Sequence, residues 1–225
     1  MESQSHPDPS LDGVIFDLDG TLVDSLKTTF DAFNHGFRLC GIREHTPHEI
    51  MAHFGKGEDH IFLAMIPDPA RAKAAYEASI EYTRKNSGVM PLHDGVDELL
   101  NFLSQKKVPI SIVTGRSWNT TEIILKHHGL LDRLVTVIAH DHVSQSKPSP
   151  EGIELALKRM KLAPEQAIYI GDTHVDIRAA KRAGTLSMAV TYDTLADRAA
   201  LQAESPDLWA SHAREVIAHL EQRIR

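Results

Sequence analysis

Two carboxylates, Asp17 and Asp19, stand two residues apart where the apolar run Gly13–Phe16 stops. A strand that apolar is buried on both faces, and carboxylates at its end need partners or a cation. Other chemistry-bearing residues follow other apolar runs in the same way. Thr114 and Gly115 follow "PISIV", Lys147 lies in "SQSKPSPEG", and Gly171, Asp172 and Asp176 lie in "GDTHVD" after "AIYI". Carboxylates from two strands can share one hard cation, and Mg²⁺ takes one or two of them together with waters and phosphate oxygens. The hydroxyl and backbone N–H of Thr114 at a strand–helix junction suit an anionic oxygen, and Lys147 adds a point charge. Their common occupant would be a phosphoryl group, whose transfer depends on positioning and charge neutralisation. The chain has no Walker-type loop for a nucleotide. Metal-assisted phosphoryl transfer through a carboxylate nucleophile is the economical chemistry.

Positioning those residues requires a parallel sheet. Short β-rich runs fall at 13–17, 109–113, 134–138, 167–170 and 186–190. Helical patterns fall between them at 95–107, 118–129, 150–162 and 174–184, with Gly129 and Gly184 placed for left-handed C-terminal caps. This alternation predicts a doubly covered parallel sheet, an α/β Rossmann-like core. Its ligands would sit beyond the carboxyl ends of the strands. The first two runs are separated by a long stretch with four helical patterns and no strand, which predicts an inserted all-helical cap at 24–91. The core then comprises 11–23 and 92–225, and polar residues 1–10 form a flexible tail.

Composition narrows the setting. The 225 residues are 42% hydrophobic and 24% charged, ordinary for a globular chain. The formal net charge of -7 argues against nucleic-acid or anionic-membrane partners. A single cysteine, Cys40, permits no internal disulfide and fits a reducing, cytoplasmic location. The 14 histidines form no matched ligand cluster, and the start has no signal-peptide pattern.

"DLDGTLVDS", the strand-end Thr114, Lys147 followed by Pro148, and "IGDTHVDIRAAKRAG" resemble the four ordered motifs of the haloacid dehalogenase-like superfamily. The helical insertion resembles that superfamily's cap after its first motif. The resemblance implies Asp17 as nucleophile, through an aspartyl-phosphate, and Asp19 as general acid and then base. It implies that Thr114, with Gly115, and Lys147 bind the phosphoryl group. It also implies Mg²⁺ held by Asp17, the Asp19 carbonyl and Asp172, with Asp176 supporting from behind. The expected activity is a phosphatase of the phosphoglycolate phosphatase-like branch, acting on a small phosphorylated metabolite. The alternatives are a β-phosphoglucomutase-like phosphotransferase and a non-catalytic phosphate-binding regulator on the same fold.

Each residue also has a plainer reading. Asp17 before Gly20-Thr21 could serve a turn, Thr114 and Ser117 could cap a helix, and Asp172 could cap the helix beginning near Thr173. Asp24 would organise the hinge turn. In the cap, Gly55, Lys56 and Gly57 in "HFGKGEDH" form a candidate specificity loop. Two departures stand out. Phosphoglycolate phosphatases resemble one another in placing Asn-Lys after the second-motif Thr, where this chain has Gly115-Arg116. The mutase branch has a hinge histidine where this chain has Thr29. Asp19 is expected to lie where positive charge is sparse, so that it protonates readily.

Overall fold

The structure is a computed structural model describing residues 10–54, 57–192 and 196–224. The tail expected at 1–10, except Ser10, and Gly55 and Lys56 of the candidate cap loop lie outside the described residues.

Six parallel strands form one sheet: β1 (Gly13–Phe16), β2 (Ile110–Val113), β3 (Thr136–Ile138), β4 (Ala167–Gly171), β5 (Leu186–Val190) and β6 (Leu208–Ala210), in the order β3-β2-β1-β4-β5-β6. β1 is central because all four of its residues are buried and it can be covered on both faces. The period-2 alternation divides the core. Val14 and Phe16 pack with Leu99, Leu103, Ile112 and Ile168, while Ile15 packs with Ile153, Leu157 and Tyr169. Phe16 is in register with Ile112 and Ile170, so the three strands that carry the motifs end side by side. Asp17 N–H extends the ladder by donating to the Ile170 carbonyl at 2.9 Å.

Among the described residues, six α-helices belong to the sheet unit: α5 (Val96–Gln105), α6 (Trp118–His127), α7 (Glu151–Met160), α8 (His174–Ala183), α9 (Arg198–Ala203) and α10 (Ala213–Glu221). Gly129 and Gly184 adopt φ of 62° and 80°, the left-handed conformation expected of them. β6, α9 and α10 lie beyond the five strands and their helices expected from the sequence. β6 is three residues long and only half-buried at two of them, too short for a periodic signal.

Among the described residues, four α-helices make up the insertion after β1: α1 (Leu26–Leu39), α2 (Pro47–Met51), α3 (Glu58–Met65) and α4 (Pro69–Asn86). They have their own core of Phe30, Phe33, Phe37, Ile50, Phe62, Ile66 and Ala75. Gly36 lets α1 approach α4 closely, since a Cβ there would strike the Ala75 carbonyl oxygen. The chain leaves and re-enters the sheet unit through adjacent segments: Asp24 N–H donates to the Pro91 carbonyl at 2.9 Å, and His93 N–H to the Leu22 carbonyl at 3.0 Å.

Candidate active site

The strand ends gather the expected residues at one edge. Asp17 Oδ1 accepts the Leu18 N–H at 2.7 Å and lies 3.0 Å from Lys147 Nζ. Its second oxygen accepts no hydrogen bond among the described residues. Lys147 Nζ also donates to Asp176 Oδ1 at 2.6 Å and to the Tyr169 hydroxyl at 3.1 Å. Tyr169 in turn shares its proton between the Val113 carbonyl, at 2.9 Å, and Asp176 Oδ1, at 3.0 Å. Asp176 Oδ2 accepts the N–H of Thr173, at 3.0 Å, and its hydroxyl, closing a capping box at the start of α8. Both oxygens of Asp176 are therefore committed.

Asp172 does not cap α8, because Thr173 takes that place. Asp172 Oδ1 accepts the Thr21 hydroxyl at 3.0 Å, and Oδ2 is left without a donor among the described residues. Gly20, with φ of 74°, brings the first-motif backbone against this carboxylate, and a Cβ at position 20 would collide with Asp172 Oδ2. Asp17, Asp172 and Asp176 each offer an oxygen within 4.8 Å of the others, and all three are buried. These are hard oxygen donors in excess over the one ammonium, a set that fits Mg²⁺ and could hold it. Burial pushes the Asp17 carboxyl up to about 7; Lys147 opposes the rise, while Asp176 and Asp19 add to it. Burial, with the Asp176 and Asp17 charges, also pushes Asp172 well up. A cation would relieve both.

Thr114 is buried at the end of β2 beside Asp17, but its backbone N–H is not available to a ligand. It donates to the Ile138 carbonyl at 2.9 Å, completing the pairing with β3. The Thr114 hydroxyl, which accepts the Arg116 N–H at 3.2 Å, remains as donor, together with the Gly115 N–H. A cavity bounded by Thr114, Ser146, Lys147 and Gly152 opens beside them.

Asp19 departs furthest from expectation. Arg116, buried at 5% exposure, donates Nε to Asp19 Oδ2 at 3.0 Å and Nη2 to Oδ1 at 2.6 Å. Ser25 donates its hydroxyl to the same Oδ1, which explains why this N-cap of α1 makes no capping bond. Burial pushes the Asp19 carboxyl up, but the Arg116 charge and these hydrogen bonds outweigh it and hold it below the ordinary range. The expectation of sparse positive charge is thus wrong. Arg116 Nη2 also reaches the Thr29 hydroxyl at 2.5 Å, and Nη1 reaches Glu58 Oε1 at 3.1 Å, tying the sheet unit to α3. Sequence reasoning registered Arg116 only as a departure and did not single out Glu58, Ser25 or Tyr169. The signal for Glu58 was its place directly after Gly57. Gly57 itself adopts φ of 75° at the start of α3 and packs on His140.

An α/β sheet with a helical insertion after the first strand and carboxylates at its strand ends defines a class. Residues 14–190 match the family model of the haloacid dehalogenase-like hydrolases, and the chain belongs to that family. It is 34% identical over 181 residues to the pyrophosphatase PpaX of Listeria monocytogenes serotype 4b (strain CLIP80459), covering 80% of this chain and 82% of that protein. It is 29% identical over 189 residues to the phosphoglycolate phosphatase of Vibrio vulnificus (strain YJ016), covering 80% and 83%. Among solved structures, a Haemophilus somnus protein described as a predicted phosphoglycolate phosphatase superposes with a TM-score of 0.82. Its sequence identity is 21%, and the match covers 93% of this chain and 97% of that one, a likeness of fold. The chain is a haloacid dehalogenase-like hydrolase with phosphatases among its relatives.

Proposed function

We propose that this chain is a magnesium-dependent phosphatase that hydrolyses a small phosphorylated metabolite through an aspartyl-phosphate on Asp17. One observation carries the reading: buried Asp17 has one oxygen pinned by Leu18 N–H and Lys147 and the other without a donor among the described residues, with Asp172 close enough to share an ion with it. The relatives named as a pyrophosphatase and a phosphoglycolate phosphatase support a small phosphate compound as substrate.

Asp17, the Asp19 backbone carbonyl and Asp172 would hold Mg²⁺, with Asp176 behind them fixing Lys147. The metal supplies charge neutralisation for the phosphoryl oxygens. Lys147, the Thr114 hydroxyl and the Gly115 N–H bind the same oxygens. The free Asp17 oxygen attacks phosphorus, the ester P–O bond breaks, and Asp19 gives a proton to the departing oxygen. Asp19 then takes a proton from water, which attacks phosphorus; the bond to Asp17 breaks and inorganic phosphate leaves. The ionised Asp19 that Arg116 favours suits the water-activating half of the cycle; for the first half Asp19 has to take up a proton against that pull. Residues 24–91 act as the cap over 11–23 and 92–225, hinged at the paired segments around Asp24 and Pro91. Gly57, the described residue of the candidate cap loop, stands at the start of α3 on the leaving-group side.

The test is phosphate release from 4-nitrophenyl phosphate and a panel of small phosphate esters, with Mg²⁺ and with excess chelator. Metal-dependent release is expected. Saturable binding without release would favour a regulator, and isomer formation a mutase.

A further inference from the structure

Glu58 sits in a receptor built wholly by the sheet unit. Its Oε1 accepts from Arg116 Nη1 at 3.1 Å, and its Oε2 accepts from the Thr120 hydroxyl at 2.5 Å and the Ser117 N–H at 3.3 Å. All three donors come from one stretch where the chain leaves β2 and enters α6, whose N-terminus adds a favourable dipole. A guanidinium, a hydroxyl and a backbone N–H converging on one carboxylate make a site for an anion, and here a side chain of the cap fills it.

We propose that Arg116, the Ser117 N–H and the Thr120 hydroxyl receive the negative charge of the substrate's leaving group, and that Glu58 occupies their site while substrate is absent. The inference rests on the reading of Asp19 as the group that protonates the leaving oxygen. The guanidinium that clasps Asp19 then lies one short group away from that oxygen. The substrate class follows: a phosphate monoester or anhydride whose leaving part carries a carboxylate or phosphate next to the scissile oxygen.

Charge makes Arg116 the reader. Lys147 is already shared between Asp17 and Asp176. Arg116, with a side chain only 3% exposed, is the other cation bonded to the catalytic carboxylates among the described residues. Glu58 can yield. Its side chain is 12% exposed and belongs to the first residue of α3 in the cap, so cap movement would carry the carboxylate towards water. Burial also pushes the Glu58 carboxyl up against the pull of Arg116, so its ionised form is held against a cost. A neutral leaving group that displaced Glu58 would leave the buried Arg116 Nη1 without an acceptor.

The test compares kcat/KM on 2-phosphoglycolate, inorganic pyrophosphate and the neutral control 2-hydroxyethyl phosphate, in the parent, Glu58→Ala, Arg116→Gln and Arg116→Lys. The parent should favour at least one anionic substrate over the control by about tenfold or more, a charge-assisted hydrogen bond's worth; which one wins separates carboxylate from phosphate. Glu58→Ala should lower KM for the favoured anion. Arg116→Gln should bring the ratio close to one, and Arg116→Lys should restore part of it. Glycolate alone should raise the melting temperature of Glu58→Ala but not of Glu58→Ala/Arg116→Gln, a readout independent of turnover. An unchanged anionic-to-neutral ratio in Glu58→Ala and in Arg116→Gln, with kcat lowered uniformly, would make Glu58–Arg116 a cap–core tie only and overturn the inference. Absence of turnover on every ester, with the glycolate shift intact, would instead overturn the phosphatase reading and leave the anion site standing.

Discussion

The ammonium of Lys147 lies 2.6 Å from Asp176 Oδ1, with 8% and 0% of the two side chains exposed. The same Asp176 closes the first turn of α8 through Thr173, so one carboxylate fixes both the helix and the lysine that faces Asp17. Removing one partner of a buried pair costs about 3–5 kcal/mol, because the other charge stays buried. Asp176→Asn should therefore lower stability by about 3 kcal/mol, read by urea unfolding, and reduce kcat with it. A change below about 0.5 kcal/mol, the range of ordinary surface substitutions, would show that Asp17 alone suffices for Lys147.

Asp17→Asn removes the attacking oxygen but keeps the shape and the acceptor for Leu18 N–H. Phosphate release should fall by more than about a thousandfold, as for the loss of other nucleophiles, while circular dichroism stays as in the parent. Normal turnover in this variant would remove Asp17 from the mechanism.

Metal and pH should act together on stability. Without metal, burial raises the Asp17 carboxyl from 3.8 to about 7, against the pull of Lys147, and Asp172 is raised as well. Between those values the folded protein binds more protons than the unfolded chain, so stability falls as pH rises through about 4 to 7. Thermal unfolding in chelator should show that decline, and Mg²⁺ should flatten it and raise the melting temperature at pH 8. Asp172→Asn should retain stability in chelator but lose most of the Mg²⁺-induced rise. A full rise in that variant would place the cation elsewhere.

Gly36 is the test of the cap's own packing. Alanine is the better helix former by about 1 kcal/mol. Its methyl, however, would strike the Ala75 carbonyl and lie 3.0 Å from the Phe62 ring, an overpacking that costs about 1–3 kcal/mol. Gly36→Ala should come out destabilising by about 1 kcal/mol in urea unfolding. Stabilisation would mean that α1 and α4 can separate without loss.

Much of this protein was legible in one dimension because its signals are local. The buried run Gly13–Phe16, the glycines at 129 and 184, and the four helical patterns after Asp24 each depend on neighbours a few residues away, and these elements stand where expected. Asp17, Thr114, Lys147 and Asp172 could be grouped beforehand because a parallel sheet brings all its carboxyl ends to one edge. Proximity at that edge did not reveal which donors were already spent. The Thr114 N–H goes to Ile138 and both Asp176 oxygens are taken, facts set by β2–β3 pairing and by the turn into α8.

The sequence by itself determined the elements and the sheet edge at which the carboxylates, hydroxyl and ammonium meet. Only the tertiary structure decided what lies across from Asp19. Arg116 is 97 residues from Asp19 and 58 from Glu58 along the chain, and no periodicity or motif spacing links the three. They meet because the helical insertion folds back over the strand ends and lowers Glu58 onto the start of α6. There a guanidinium removed from water needs acceptors for its N–H groups, and Asp19, Thr29 and Glu58 supply them.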